Sequence, residues 1–539
     1  MNTERHFEYG AALRSFIHEG QYLDRWIDFK SFQVFEEATT YTALQFFTRS
    51  RNPSVRFALA PDGALSTDWR DAAWHVPYAE LSTGDDTWVF LPENERRLVR
   101  RLSHECLRLD DPLVTIQIFQ GLITSADHIY HLKRLRAGLY ESRAKRGNAR
   151  QIEIEDAIMR PLISGTEADR YAELETELYL LFPYESNERG MSLLSAIELS
   201  REFPLAWDYL RQHEQELRDR EGGSFDDEQW YRFGRNQNID KQNLPKLAVA
   251  QTVQHLEVSC DLQGEFCLNN VRVNGILCED QDNLLFLMGI LNSPVPDWIF
   301  RRSSAPKSGG FFEANKQFIA PLPIPHAPIA DKRWVGTQAL ELTALHGRFR
   351  QLIWDIEHRL EVCDNEKRSE DWLLPAVGSI EDWKRRAPEM GARLRTQWAK
   401  EKRSRQLSEE LASLQMRFSS PIQLRPHLAN GELSIESNGV VVIDHVFVSA
   451  DEGAFLLAQW KLSLWDLASG AAPIASKVID LLRNVKLSGN TVLKAQVVEM
   501  TEQASTVRNR IDTVEQELND RIAELYHLTP DERALIATV

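Results

Sequence analysis

Between residues 112 and 325 the chain carries a string of short signatures in which turn residues punctuate apolar, β-forming runs. It opens with Gly121-Leu122-Ile123-Thr124, then Asp127, then Arg160-Pro161-Leu162 with Gly165, and Arg170-Tyr171. Pro183-Tyr184, Tyr209-Leu210, and Trp230-Tyr231 with Arg235 follow. Pro245-Lys246, Leu291-Asn292-Ser293, Gly309-Gly310 and the closing Pro321-Leu322-Pro323-Ile324-Pro325 complete it. Runs such as Lys246-Leu247-Ala248-Val249 and Glu265-Phe266-Cys267-Leu268 predict short strands, and helical inserts are expected at 201–220 and 283–292. The Pro-rich stretch 321–328 ends the region and reads as a linker.

In this order and spacing the string resembles the TaqI-like specificity domain of adenine-N6 DNA methyltransferases, including the fused type IIG restriction-modification enzymes and the BREX-type methyltransferases. The resemblance implies a domain that reads a DNA sequence and holds the duplex while a target adenine is modified, in restriction-modification or phage defence.

Such an enzyme needs two further parts. One is a glycine-rich turn after a first strand, where backbone N–H groups approach the methyl donor. The other is an Asn/Asp-Pro-Pro-Tyr/Phe tetrapeptide that holds the adenine amino group and stacks on the flipped base. No Pro-Pro pair followed by an aromatic residue occurs; Asn292-Ser293-Pro294-Val295-Pro296 is the nearest approach, and no Gly-x-Gly follows a convincing strand. Residues 9–50 resemble instead the segment that comes after the tetrapeptide. A helix is expected near 8–19, with strands at 22–29, 40–48 and, after the Arg51-Asn52-Pro53 turn, 54–60. These would be the last elements of a doubly wound sheet. The expectation is one subunit of a split enzyme, a fragment of a longer protein, or a degenerate homologue. S-adenosylmethionine is expected on a partner chain or missing N-terminal half, with no cofactor or metal in this chain.

The expected fold class is a mixed, multidomain α/β chain. Residues 1–65 read as the end of a class I methyltransferase sheet, 66–111 as a connector with a helix from Glu93 to Leu109, and 112–325 as an α+β target-recognition domain. Residues 326–419 read as helical, 420–470 as a small β-rich insert with hairpin turns at Asn430-Gly431 and Asn438-Gly439, and 471–539 as a helical arm. The terminus, Ile522 to Thr529 with Glu532 and Leu535-Ile536, is similar to the closing helix-turn-helix of the same enzymes, which packs back on the recognition domain.

At 539 residues the chain is long enough for three or four domains. No apolar run reaches membrane-spanning length and no signal peptide opens it, so no membrane partner is expected and a cytoplasmic setting is. The five cysteines match no zinc ribbon or redox pair, and the fourteen histidines form no ligand cluster. A net charge of −17 speaks against a simple DNA-coating protein but leaves room for a local basic cleft.

Three segments are candidates for contact with double-stranded DNA. The first is a basic run containing Lys133, Arg134, Arg143, Lys145 and Arg146, dense enough to supply phosphate contacts; its bland alternative is a solvated face with a basic turn. The second runs from Trp230 to Lys246. Trp230 and Tyr231 are expected to be structural there, while Arg232, Arg235, Asn236, Asn238 and Lys241, with Gln237 and Gln242, offer groups for base edges or backbone. The third holds Arg301, Arg302, Lys307 and Lys316 around Gly309-Gly310, where glycines let the backbone approach phosphate. Asp127 reads as a turn residue, and no hydrolase or zinc-protease motif is present.

Two functions follow. The leading one is the specificity half of a split adenine-N6 methyltransferase, inactive alone, whose protein partner carries the donor site and the Pro-Pro-aromatic motif. The alternative is a non-enzymatic, methyltransferase-like DNA-sensing or scaffold subunit of a defence complex.

Overall fold

The computed structural model describes residues 10–35, 41–64, 73–81, 88–142, 149–187, 190–270, 272–363, 373–419, 422, 424–468 and 474–537. The chain is mixed α/β and divides into two compact units, one of residues 1–344 with 514–539 and one of 345–513. The helices Ile329–Glu361 and Thr491–Leu525 carry the chain out of the first unit and back.

The first unit begins with the helix Ala11–Gly20 and the strands β1 (Leu23–Gln33), β2 (Tyr41–Phe47) and β3 (Ser54–Leu59). A fourth strand, β4 (Trp74–Pro77), lies in the stretch read as connector and joins the same sheet, in the order β2-β1-β3-β4. β1 runs parallel to β3 and antiparallel to β2. The core of this sheet extends past residue 65 through Val76, Tyr78, Leu81, Trp88 and Phe90, with Phe57 stacked on both Trp74 and Phe90.

The helix Glu93–Glu105 follows, and the two-residue strand β5 (Leu107–Arg108) then pairs with β20 (Pro323–Ile324). The chain therefore enters and leaves the stretch between them side by side. That stretch builds two larger sheets. The first contains β7 (His131–Arg136), β8 (Leu139–Ser142), β9 (Gln151–Glu153), β10 (Met159–Ile163), β11 (Leu178–Leu181) and β17 (Cys267–Leu268), ordered β17-β10-β11-β7-β8-β9. The second contains β6 (Gln117–Gln120), β14 (Lys246–Ala250), β16 (Val258–Asp261) and β18 (Val273–Leu277), ordered β16-β14-β18-β6 and antiparallel throughout. The ribbons β12 (Tyr184–Asn187) with β13 (Gly190–Leu193), and β15 (Thr252–Val253) with β19 (Phe312–Glu313), are smaller.

Burial explains these assignments. β14 and β18 are buried at every position, the polar Lys246 and Asn274 included, so neither strand shows the alternation of apolar and polar residues that a half-exposed strand would. The helix Gln281–Leu291 is apolar all round and is buried from Leu284 to Leu291. Gly289 faces Val335 and Gly336 faces Leu285, so this helix and the start of Ile329–Glu361 meet at close backbone distance. The expected insert at 201–220 is a run of short helices, Ala196–Glu202, Pro204–Gln212 and Glu214–Arg218. A Ser195–Glu198 capping box starts the first, and Leu199, Tyr209, Leu210 and Leu217 pack on the six-stranded sheet. The C-terminal turn closes on this unit: the Tyr526 hydroxyl donates to the Pro323 carbonyl at 2.7 Å, and Arg101 pairs with Glu532 at 2.8 Å.

In the second unit, β21 (Leu424–Ala429), β22 (Glu432–Ser437) and β23 (Val440–Phe447) form an antiparallel meander. Both expected turns are present, with Asn430, Gly431, Asn438 and Gly439 all at positive φ as a two-residue hairpin turn demands. Strand ends at Phe447; the rest of the stretch expected to be β-rich is the helix Ala450–Ala468. Its Phe455, Leu456 and Trp460 are buried, and the Trp460 indole donates to the Leu482 carbonyl at 3.0 Å.

Candidate nucleic-acid interface

The segment from Gln120 to Asp127 organises the candidate site. Gly121 packs directly on the Leu268 carbonyl oxygen, where any Cβ would overlap it. The Gly234 and Arg235 backbone N–H groups donate to the Thr124 and Ile123 carbonyls at 3.1 and 3.2 Å. Asp127, expected in a turn, instead opens the short helix Asp127–Tyr130 and accepts from the Thr124 hydroxyl at 2.5 Å.

The aromatic part of the second segment is structural. Trp230, Tyr231 and Phe233 are buried. The Tyr231 hydroxyl donates to the Leu194 carbonyl, the Tyr130 hydroxyl donates to the Tyr231 carbonyl, and the Phe233 N–H donates to the Tyr184 hydroxyl. Burial pushes the Tyr184 phenol up to about 12. Arg220, which the sequence did not single out, holds the segment: its guanidinium donates to the carbonyls of Leu217, Thr124, Trp230 and Arg232 at 2.7–2.9 Å and lies over the Phe225 ring. Desolvation lowers its pKa.

The polar residues of this segment divide. Arg232 pairs with Asp227 at 2.6 Å and Arg235 with Glu221 at 2.9 Å. Asn236 and Gln237 are exposed. Asn238, at φ 64°, donates to the Gln120 carbonyl at 3.0 Å and accepts from Lys241 at 2.9 Å. Two residues considered as DNA-facing are interior ones. Gln242 is fully buried, with its amide spent on the Asn238 carbonyl and the Leu268 N–H. Lys246 is fully buried against Asp261 at 2.6 Å, because the central strand β14 has no solvent-facing side at that position.

In the third segment Arg302 turns away from the loop to Glu95 at 2.7 Å and lies 3.9 Å over the Trp298 ring. Arg301 lies over Phe312. Lys307 donates to the Thr252 hydroxyl at 3.2 Å, Gly309 and Gly310 take positive φ, and Lys316 is exposed.

The second and third segments converge on one end of the four-stranded sheet. Gln120, whose carbonyl takes the Asn238 amide, pairs in register with Asn274. The buried Asn274 amide donates to the Ala314 carbonyl at 2.7 Å and its oxygen accepts from Gln251 at 3.2 Å. Gln251 in turn accepts from the Ala314 N–H and donates its own N–H to the Arg272 carbonyl. Arg272, also missed from the sequence, is exposed here, and among the described residues its guanidinium has no acceptor. A single arginine after an Asn269-Asn270 pair belongs to no basic run that would mark it in the sequence.

The described part of the first segment, on β7, stands apart. β7 lies three strands from β17 in the other sheet, roughly 14 Å at ordinary strand spacing. Lys133 pairs with Glu177 at 2.7 Å, and Arg134 with Asp156 at 3.3 Å and with the Tyr179 hydroxyl at 3.1 Å. The Tyr140 hydroxyl holds the Asp156 carboxyl below its usual range. Arg143, Lys145 and Arg146 lie outside the described residues.

No family model matches the chain. Over 342 residues it is 23% identical to the type II restriction enzyme and methyltransferase RM.Eco57I of Escherichia coli, covering 60% of this chain and 34% of that protein. It is 22% identical over 242 residues to the type II methyltransferase M.BstVI of Geobacillus stearothermophilus, covering 42% of this chain and 39% of that one. The chain is thus a distant relative of type II restriction-modification methyltransferases, and each match spans between a third and two fifths of the relative's length. No helix among the described residues is long and apolar enough to cross a membrane.

Proposed function

We propose that this chain supplies DNA target recognition to a site-specific adenine-N6 methyltransferase. The observation that carries the reading is the meeting of two loops at one sheet end, one presenting the exposed amides of Asn236 and Gln237 on a loop anchored by Asn238, and one built from glycines and cations (Lys307, Gly309, Gly310, Lys316). Amides pair with adenine edges, and glycine turns with cations suit phosphate. The similarity to two type II methyltransferases supports the same reading. S-adenosylmethionine and the adenine-binding tetrapeptide then belong to protein outside these residues, since among the described residues the first sheet has no glycine-rich strand-to-helix turn for the donor.

The test is transfer of a labelled methyl group from S-adenosylmethionine to duplex DNA, by this chain alone and with a protein bearing the Pro-Pro-aromatic motif. The expected result is transfer only from the pair. Methylation by this chain alone would overturn the division of labour. No transfer from the pair, with duplex binding intact, would favour the DNA-sensing or scaffold role.

A further inference from the structure

Resting on that recognition reading, we infer that a phosphate-gripping rim at the sheet end is formed by Arg272, Lys307 and Lys316, and that the arginines Arg232 and Arg235 carry none of the electrostatic affinity. The argument is one of charge already spent. A cation contributes to DNA affinity by replacing condensed counterions on phosphate, and one neutralised by a carboxylate of its own chain has that charge committed elsewhere. Arg232, Arg235, Lys133, Arg134 and Arg302 each have such a carboxylate: Asp227, Glu221, Glu177, Asp156 and Glu95.

Arg272, Lys307 and Lys316 differ. Among the described residues none of them is ion-paired; the Lys307 ammonium donates to the neutral Thr252 hydroxyl. The three are placed by one hub. Gln251 takes the Arg272 carbonyl with its backbone N–H at 2.7 Å and the Ala314 N–H with its carbonyl at 2.9 Å. Thr252, the Lys307 acceptor, is the next residue and pairs in register with Glu313, while Lys316 lies two residues beyond Ala314. The acid in this neighbourhood, Glu313, is engaged by the Asn315 amide at 3.0 Å. Gly309 and Gly310 are both left-handed; the Phe311 ring covers Gly309, but Gly310 has open space beside it, so a sugar-phosphate backbone can approach the turn there. The ligand class is therefore the DNA phosphodiester backbone, bound independently of sequence, beside the amides that face base edges.

The test is duplex binding by the full chain, followed by fluorescence anisotropy between about 50 and 200 mM salt. Each lost phosphate contact lowers the slope of log affinity against log salt by about 0.9. Arg272→Gln is expected to lose that increment, the triple Arg272→Gln/Lys307→Gln/Lys316→Gln nearly three times as much, and Arg272→Lys to keep the full slope. Arg235→Gln is expected to leave the slope unchanged. A wild-type slope in the triple variant would overturn the rim while leaving the recognition reading standing. A wild-type chain that binds no duplex would overturn the recognition reading itself. A thermal melt of each variant separates loss of contact from loss of fold.

Discussion

Gln120 and Asn274 sit opposite each other in the β6–β18 ladder, and each fastens a different loop: the Gln120 carbonyl takes the Asn238 amide, and the Asn274 amide takes the Ala314 carbonyl. The two candidate DNA-facing loops are thereby referenced to one pair of adjacent strands. The position of each relative to the other is set by main-chain pairing.

Asn274→Ala removes a fully buried amide and leaves the Ala314 carbonyl and the Gln251 amide without their partner. A buried polar group left unsatisfied costs about 1–3 kcal/mol, so a loss of about 2 kcal/mol in urea unfolding is expected. Amide exchange at Ala314 should quicken, and duplex affinity should fall with it. Unchanged exchange at Ala314 would show that the loop is held by something else.

Lys246→Met should be more damaging. It strands the Asp261 carboxylate in the interior, and breaking a buried pair typically costs about 3–5 kcal/mol. Two backbone N–H groups, of Glu265 and Phe266, still donate to Asp261, which places the cost near the lower end. Lys246→Met with Asp261→Asn should recover part of it in the same denaturation experiment.

His255 lies beside Asp297, with Nδ1 2.9 Å from the carboxylate. The hydrogen bond to Asp297 raises the imidazole pKa; partial burial and Arg301 oppose it, and Glu257 adds to it. A pKa raised on folding gives stability that is fully present below the ordinary value of about 6.5 and is lost as pH rises through the folded value. In an NMR titration His255 should titrate above the ordinary histidine range, and Asp297→Asn should bring it down. The side chain is half exposed, so the effect on overall stability is expected to be small.

The two hairpin turns of the second unit give a paired comparison. Gly439 is at φ 80° and a would-be Cβ meets only the Glu436 carboxylate at an ordinary 3.9 Å, so Gly439→Ala should cost about 1 kcal/mol, from backbone conformation alone. Gly431→Ala adds a contact with the Val448 carbonyl oxygen at 3.2 Å and should cost more. Equal melting temperatures for the two variants would contradict this.

Much of the local structure was legible in the sequence because local chemistry decides it. Asn-Gly pairs set hairpin turns, and apolar periodicity located the helices Ile329–Glu361 and Thr491–Leu525. The helix Ala450–Ala468 was missed because its buried Phe455-Leu456 pair and Trp460 look the same in a short strand as in a buried helix. At the candidate site, sequence located the segments but not the state of their charges. Whether an arginine is spent depends on a distant carboxylate, as Glu95 for Arg302 across 207 positions. Lys246 and Gln242 look like surface groups until the strand around them is seen to be interior. Arg272 is conspicuous only once its neighbours in space are known.

The Gln120–Asn274 foundation has an evolutionary consequence. β6 and β18 are joined there through backbone groups, so the apexes of the two loops, around Gln237 and Gly310, can be rewritten without disturbing the ladder beneath them. If the loops read DNA as proposed, a lineage pressed to acquire a new target site can exchange those few apical residues and inherit the mounting unchanged.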